Sequence, residues 1–359
     1  MKKIPHSWRK LPIKKRLEIP NNFFEIPSGE IKKIRKIKDG RNRLIAAAKL
    51  QYESFKDIHT DLTAWIAGYA SDTAVRQKIG SSKKLREMFI EPSLKDKRFT
   101  PTWQDTKRNI KLPEGMNELL AEESGIHIGD GSLHIHTSKS GSSYLYGICG
   151  DLSNEYNYHV NHIASIMKKL YNCNAYYNIR TNRNAIESQY KSKLILEYKN
   201  RILRFPIGSK VDILIPKQVI GTKNFERRCL CGIFDTDFTL DNYAILKGRM
   251  ASFKLMKQMC NLLSKQGVKY KYKKYEGYGY IRILQESTLK ILEEWGLNNQ
   301  KHVSKYQIWK ETNKYFPFTS TTERLAFLEG KLGLGDLEDI SEKRRKASAR
   351  IKRFPLTLS

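Results

Sequence analysis

Cysteine is scarce in this chain: Cys149, Cys173, Cys229, Cys231 and Cys260 form an odd set with no CxxC pair. That pattern excludes a disulfide framework and predicts reduced, mostly buried thiols of an intracellular protein. Long apolar runs are missing too. A membrane-spanning helix needs about 18–20 consecutive apolar residues, and no such run occurs. The opening "MKKIPHSWRKLPIKKRLEIP" has basic residues but no apolar core, so no secretory leader and a cytoplasmic location are expected. Acids are the third shortage, with 37 Asp and Glu against 66 Lys and Arg, a formal charge of +29. A surplus spread along the chain attracts polyanions, nucleic acid first, although ribosomal or anionic-membrane surfaces fit the charge as well. The length, 359 residues, predicts two or three domains with ample core.

What is present is an internal repeat. Arg227 to Phe238 reads "RRCLCGIFDTDF", an apolar run that ends in two acids, Asp235 and Asp237. Upstream lies "LLAEESGIHIGDGSLHIH", Leu119 to His136. With Asp130 set against Asp237, Gly125 falls opposite Gly232, Ile126 opposite Ile233 and Ser124 opposite Cys231. Each acid is followed by an alternating segment, "SLHIHTS" or "FTLDNYAIL". The strand-like "YLYGICG" and "YAILKGRM" come next. They precede amphipathic helices that carry Val160, Ile163, Met167 and Leu170, or Phe253, Met256, Cys260 and Leu263, on one face. Two further strands are expected in each half, "NAYYNIRT" and "KLILEYK" in the first, "VKYKYKKY" and "GYIRIL" in the second, before a closing helix such as "STLKILEEWGL". Both halves therefore read helix-strand-strand-helix-strand-strand-helix.

In this order of elements the sequence resembles the LAGLIDADG homing endonucleases, in the single-chain, two-motif form of archaeal members. The resemblance runs from about Leu112 to Lys314 and includes the connection "RFPIGSKVDILIPKQVI" before the second motif. It implies an α+β fold: two pseudo-symmetric αββαββα repeats form antiparallel sheets around paired motif helices. An extra, mainly helical region precedes them. The expected divisions are 1–110, a basic N-terminal extension that is a helical DNA-binding unit or a packing extension; 111–220 and 221–315, the two repeats; and 316–359, a basic tail.

The resemblance also implies roles. Ser124, Gly125, Cys231, Gly232 and Asp235 belong to the motif-helix interface, where small side chains permit close approach. Asp130 and Asp237 are the catalytic acids and the ligands of Mg²⁺ (or Mn²⁺), because hard oxygen donors suit such an ion and a divalent cation relieves repulsion between two carboxylates at helix C-termini. Lys247 is the candidate supporting base-side cation, with Arg249 the alternative. Gly131 follows Asp130 as the motif requires, but Phe238 follows Asp237, which predicts a strained helix exit or another path. The alternating strands place His134, His136, Arg180, Arg183, Arg249, Lys269, Lys271, Lys273 and Arg282 as candidates for duplex DNA contact, with Tyr280 beside them. A zinc reading of His134 and His136, or of His159 and His162, is set aside, since no cysteine pair completes four ligands.

The implied activity is site-specific hydrolysis of both strands of a long DNA target by a monomer, encoded in an archaeon or a mobile element such as an intron. The alternative is a nucleic-acid-binding protein without efficient cleavage, an RNA maturase or a DNA-binding regulator, which admits RNA as a partner. On charge alone, duplex binding should weaken steeply with salt as condensed counterions are displaced. A titration that shows flat affinity between about 50 and 200 mM salt would contradict a groove-wide basic surface.

Overall fold

The computed structural model describes residues 28–55, 60–69, 72–80, 99, 101–138, 141–241 and 244–353. They divide into two compact units, Met1–Asn109 and Ile110–Ser359. The first is helical: α1 (Ser28–Arg35), α2 (Gly40–Phe55), α3 (Thr60–Ala67), α4 (Asp72–Ile79) and the short α5 (Trp103–Lys107). Its core gathers Ile31, Ile34, Leu44, Ala47, Leu62, Trp65, Ile66 and Val75. The break between α1 and α2 falls at Asp39-Gly40, where the Asp39 carboxylate accepts from the Asn42 amide at 2.6 Å. The Pro- and Asn-bearing segment "PNNFFEIPSGE", which its sequence predicts as a loop, lies mostly outside the described residues.

The second unit begins with α6 (Glu118–Asp130), capped by the Asn117 side chain on the Leu120 amide. Then come β1 (Gly131–Ser138), β2 (Gly141–Asp151), α7 (Leu152–Asn157), a π-helical turn, α8 (Ala164–Tyr171), β3 (Tyr176–Arg180), β4 (Ala185–Lys191) and α9 (Lys193–Arg201). The second set runs α10 (Lys223–Asp237), β5 (Phe238–Asp241), β6 (Ile245–Met250), α11 (Phe253–Lys265), β7 (Tyr270–Tyr275), β8 (Tyr278–Ile283) and α12 (Gln285–Lys290). The sheets are antiparallel, with strand orders β1-β2-β4-β3 and β5-β6-β8-β7. These are two αββαββα repeats with one topology, the α+β architecture expected.

One strand is reassigned. "KLILEYK" forms α9, and the fourth strand of the first sheet is Ala185–Lys191 instead. The Ser192 hydroxyl accepts from the Ile195 amide at 3.2 Å and starts a helix there. Leu194, Ile195, Tyr198 and Lys199 are then buried at helical spacing. In β4, Ile186, Ser188 and Tyr190 alternate inward, a period that two hydroxyl-bearing residues conceal in a hydropathy reading.

The paired helices α6 and α10 form the axis. A Cβ on Gly125 would lie 2.0 Å from the Cys229 carbonyl oxygen, and one on Gly232 would lie 2.3 Å from the Glu122 carbonyl oxygen. Glu122 and Cys229 are equivalent in the repeat alignment, so each helix presents its glycine to the same backbone point of its partner. The contact is twofold by construction. Gly129 continues it: a Cβ there would meet Thr236 Oγ1 at 2.0 Å.

The segment read as a basic tail is helical as far as it is described. Within the 221–315 division α13 (Gln300–Thr312) follows α12, and the tail itself carries α14 (Thr321–Leu328) and α15 (Leu334–Arg353). Leu337 is buried against Ile308 and Phe316, and Arg344 pairs with Glu323 at 2.6 Å, which holds α15 on α14 despite its charge.

Because a backbone oxygen has nowhere to retreat, Gly125→Val should prevent native packing of α6 on α10. Circular dichroism melts should show a loss of at least about 3 kcal/mol or no cooperative unfolding. A melting temperature equal to the parent's would refute the contact.

Candidate active site

Both acids of the repeat sit on the last residue of their helix, Asp130 ending α6 and Asp237 ending α10. The glycine contact forces them together: the Asp237 carboxyl carbon is 3.5 Å from the point where a Gly129 Cβ would stand. Burial, then Glu155 and Asp237, push the Asp130 carboxyl up to about 7. Asp237 stays open to solvent at the mouth of the site, yet the protein crowding it raises its pKa also, while Lys210 and Lys301 pull it back. Two carboxylates at negative helix ends are electrostatically costly, and something cationic must answer them.

Two lysines do so in part, and sequence reasoning missed both. Lys210 Nζ donates to the carbonyl oxygens of Ile128, at 3.0 Å, and of Gly129. Lys301 Nζ donates to the Thr236 carbonyl at 2.7 Å. Gly129 and Thr236 are equivalent, and each lysine comes from the segment after the closing helix of its own repeat. The site thus has a second twofold layer. Lys301 also pairs with Glu155 of the first repeat at 2.7 Å. A comparison of the first lysine after each closing helix was the available signal; the two stand at different distances in sequence, which hid it.

Lys247, the candidate cation, is paired locally with Asp241 across the β5–β6 edge, and neither it nor Arg249 is among the charges that set the Asp130 and Asp237 carboxyls. Arg249 rests over the rings of Tyr278 and Tyr280 at 5.6 and 5.9 Å.

Asp235 is fully buried, and its carboxylate is taken up by the turn that follows the closing helix. Its carboxylate accepts from the Asn298 and Asn299 amides at 3.0 Å each, and the Asn299 side chain donates to its carbonyl at 2.8 Å. Asp235 therefore anchors the turn that delivers Lys301, and Thr236 takes the interface position assigned to it. Burial pushes its carboxyl up to about 7 in spite of the two amides. Ser124 and Cys231 are buried between the helices, Ser124 donating to the Leu120 carbonyl at 2.7 Å.

Phe238 is not strained. Its φ of −97° and ψ of 158° match the −79° and 152° of Gly131, so both helices leave directly into strands and neither uses a left-handed cap. The halves differ by an exchange of bulk. Gly131 pairs with Ile148, whereas Phe238 pairs with Gly248 and packs edge-on against Phe234 at 4.8 Å. A Cβ on Gly248 would lie 2.5 Å from the Phe238 ring, and one on Gly131 would lie 2.8 Å from the His127 ring.

The second sheet presents a cationic face. Lys247, Arg282 and Lys271 sit opposite one another across β6, β8 and β7, and Arg249, Tyr280 and Lys273 form the next row. Lys269 extends the same parity one residue before β7 and pairs with Glu286 at 3.0 Å. Like charges directly opposite destabilise a sheet unless an anion covers them. The first sheet is milder: His134 and His136 stack at 5.9 Å, Arg180 lies 3.7 Å from Glu187, and Arg183 is exposed in the β3–β4 turn. His159 and His162 are apart from these, bonded to Ser188 at 2.8 Å and Glu122 at 2.6 Å.

Among the described residues no group of three or more His, Cys, Asp or Glu gathers as a metal site; Asp130 and Asp237 bring two hard oxygen donors together at the helix ends. Two carboxylates held above their ordinary range suit a hard divalent cation that keeps several other oxygen ligands. The described helices include none long and apolar enough to cross a membrane.

Solved structures similar to this chain include I-DmoI in complex with DNA and Mn, 17% identical, covering 50% of this chain and 97% of that one with a TM-score of 0.40. Variants of that protein are described as coming from the homing endonuclease I-DmoI. I-SmaMI bound to uncleaved DNA target in the presence of calcium ions is 11% identical, covering 63% and 96% with a TM-score of 0.38. The likeness is one of fold. No protein-family model matches the chain, and no curated protein does. The twofold geometry of the chain itself carries the functional reading.

Phe238 fills the space over Gly248, so Phe238→Gly opens a cavity without relieving any backbone strain. It should cost about 3–5 kcal/mol of stability. A denaturant midpoint within error of the parent's would contradict this packing.

Proposed function

We propose that the chain is a site-specific DNA endonuclease of the LAGLIDADG homing type that uses Mg²⁺ or Mn²⁺ and hydrolyses both strands of a duplex target. The observation that carries this reading is the pair of helix-terminal acids, brought together by reciprocal glycine contacts and each accompanied by a lysine on an equivalent carbonyl. One chain supplies both acids, so a monomer suffices. The symmetry fits a substrate whose two strands run antiparallel about a local twofold.

Asp130 and Asp237 would hold the ion, which when bound supplies Lewis acidity for phosphodiester hydrolysis. Lys210 and Lys301 fix the carbonyl ends of the helices, screen the acids from the helix dipoles and stand as cations where charge develops on a scissile phosphate. Asp235 positions Lys301 through the 298–299 turn. The cationic rows of β6, β7 and β8 bind backbone phosphates, and His134, His136, Arg180 and Arg183 extend that contact over the first sheet. The extended backbone at Phe238 matches that at Gly131, so the one departure from the motif gives no backbone reason for a second half unable to cleave.

Asp130→Asn and Asp237→Asn should each reduce double-strand cleavage by about 10²-fold or more while duplex affinity stays within about 3-fold, since Asn keeps the shape and removes the anionic ligand. The measurement is a gel cleavage assay on the natural target beside a binding titration. Undiminished cleavage by either variant would sink the assignment; tight binding with no cleavage by the unmodified chain would favour a binding protein.

A further inference from the structure

A cavity of about 330 Å³ opens at Asp237, lined by residues of both repeats and, from the chain that follows α12, by Lys301 and Lys305 of α13 and by Thr319 and Arg324. Arg324 is 2% exposed. Its guanidinium donates to Ser304 Oγ and Thr321 Oγ1, each at 2.9 Å, and to the Thr319 carbonyl, all of them neutral acceptors. The neighbouring acid, Glu323, is turned away to Arg344 and to the Ser320 amide. Arg324 is thus a buried cation positioned by hydrogen bonds to neutral groups, with Glu323 close enough to act on it through space but ion-paired to Arg344.

Lys305 faces the same space. Among the described residues it has no hydrogen-bonded or ion-paired partner, and Arg324, Lys301 and Lys247 crowd it. Of the acids nearby, Asp237 lines the cavity itself and is the residue proposed to hold the metal; the others are committed elsewhere. Glu155 pairs with Lys301, and Asp241 with Lys247. Asp151 accepts from Ser153, Asn154 and Asn184. Burial and the surrounding cations hold the Lys305 ammonium down at about 8, as is usual for a positive group without an anion. Two cations without an ion-paired acid in a concave, polar space are costly unless an anion enters.

We infer that this cavity is a phosphate site in which Lys305 and Arg324 hold a backbone phosphate of the DNA strand lying at Asp237. The inference rests on the nuclease reading for its ligand, and it gives the helices that follow α12 a part in substrate binding.

The test uses the full chain and three variants, Lys305→Met, Lys305→Arg and, as an exposed control, Lys331→Met. Lys305→Met removes charge from a cationic surrounding, so its melting temperature should not fall. Two probes are read. Inorganic phosphate should raise the melting temperature of the parent, Lys305→Arg and Lys331→Met, but not of Lys305→Met. In duplex titrations the slope of log affinity against log salt should shrink by about one for Lys305→Met alone. Equal phosphate shifts and equal slopes for parent and Lys305→Met would overturn the site. A Lys305-dependent phosphate shift in a chain that binds no duplex would overturn the DNA ligand. Cleavage by Asp237→Asn reports separately on the nuclease reading.

Discussion

Everything in the second unit hangs on the approach of two helix backbones. At Gly125 and Gly232 the helices come so close that a single Cβ would overlap a carbonyl oxygen, and the two contacts are equivalent by repeat. A contact of this kind fixes rotation and register together, because sliding by one residue would set side chains against backbone. It also decides the electrostatics. Helices crossing this tightly must end side by side, and the acids on their last residues then share one small volume at two negative dipole ends. Lys210 and Lys301 answer that charge from equivalent places, at the cost of partial burial, which lowers the Lys210 ammonium from its ordinary value.

Around this symmetric centre the halves have diverged. The first half buries an ionic cluster: Glu123 accepts from Lys199 at 2.8 Å and from the Tyr146 hydroxyl at 2.7 Å, and Lys199 lies 4.2 Å from the Tyr146 ring centroid. Leu230 is the counterpart of Glu123, so the second half is apolar at that depth. Buried pairs of this sort add little net stability but punish any arrangement that separates them, which suits a half whose β4 and α9 must choose between competing local patterns. Bulk has been exchanged as well, from His127 beside Gly131 to Phe234 beside Phe238. Each half repacks its own helix exit while the backbone path stays the same. The charge is uneven in the same sense, with the cationic rows concentrated on the second sheet.

Cross-repeat contacts knit the centre. Asn298 donates to Glu122 at 3.0 Å and Asn299 to Glu155 at 2.8 Å, so the turn that Asp235 holds also grips the first repeat. One side chain, Asp235, therefore links the end of α10, the placement of Lys301 and the join between halves. Its carboxylate sits wholly out of water, which is tolerable because backbone amides complete it.

The sequence by itself determined the repeat, the small residues of the helix contact and the acids at the helix ends. Each of these is a property of residue type at fixed spacing, and the twofold repetition made chance coincidence improbable. It determined the cationic alternation of β7 for the same reason. Tertiary structure alone decided three things. "KLILEYK" became helix because the Ser192 cap and a buried partner for Lys199 outweighed its alternation. Phe238 left its helix without strain because Gly248, on another strand, made room for its ring. And the cations beside the acids proved to be Lys210 and Lys301, not Lys247, because charges act through distance in space. Nothing in the order of residues says which loop returns to a helix end.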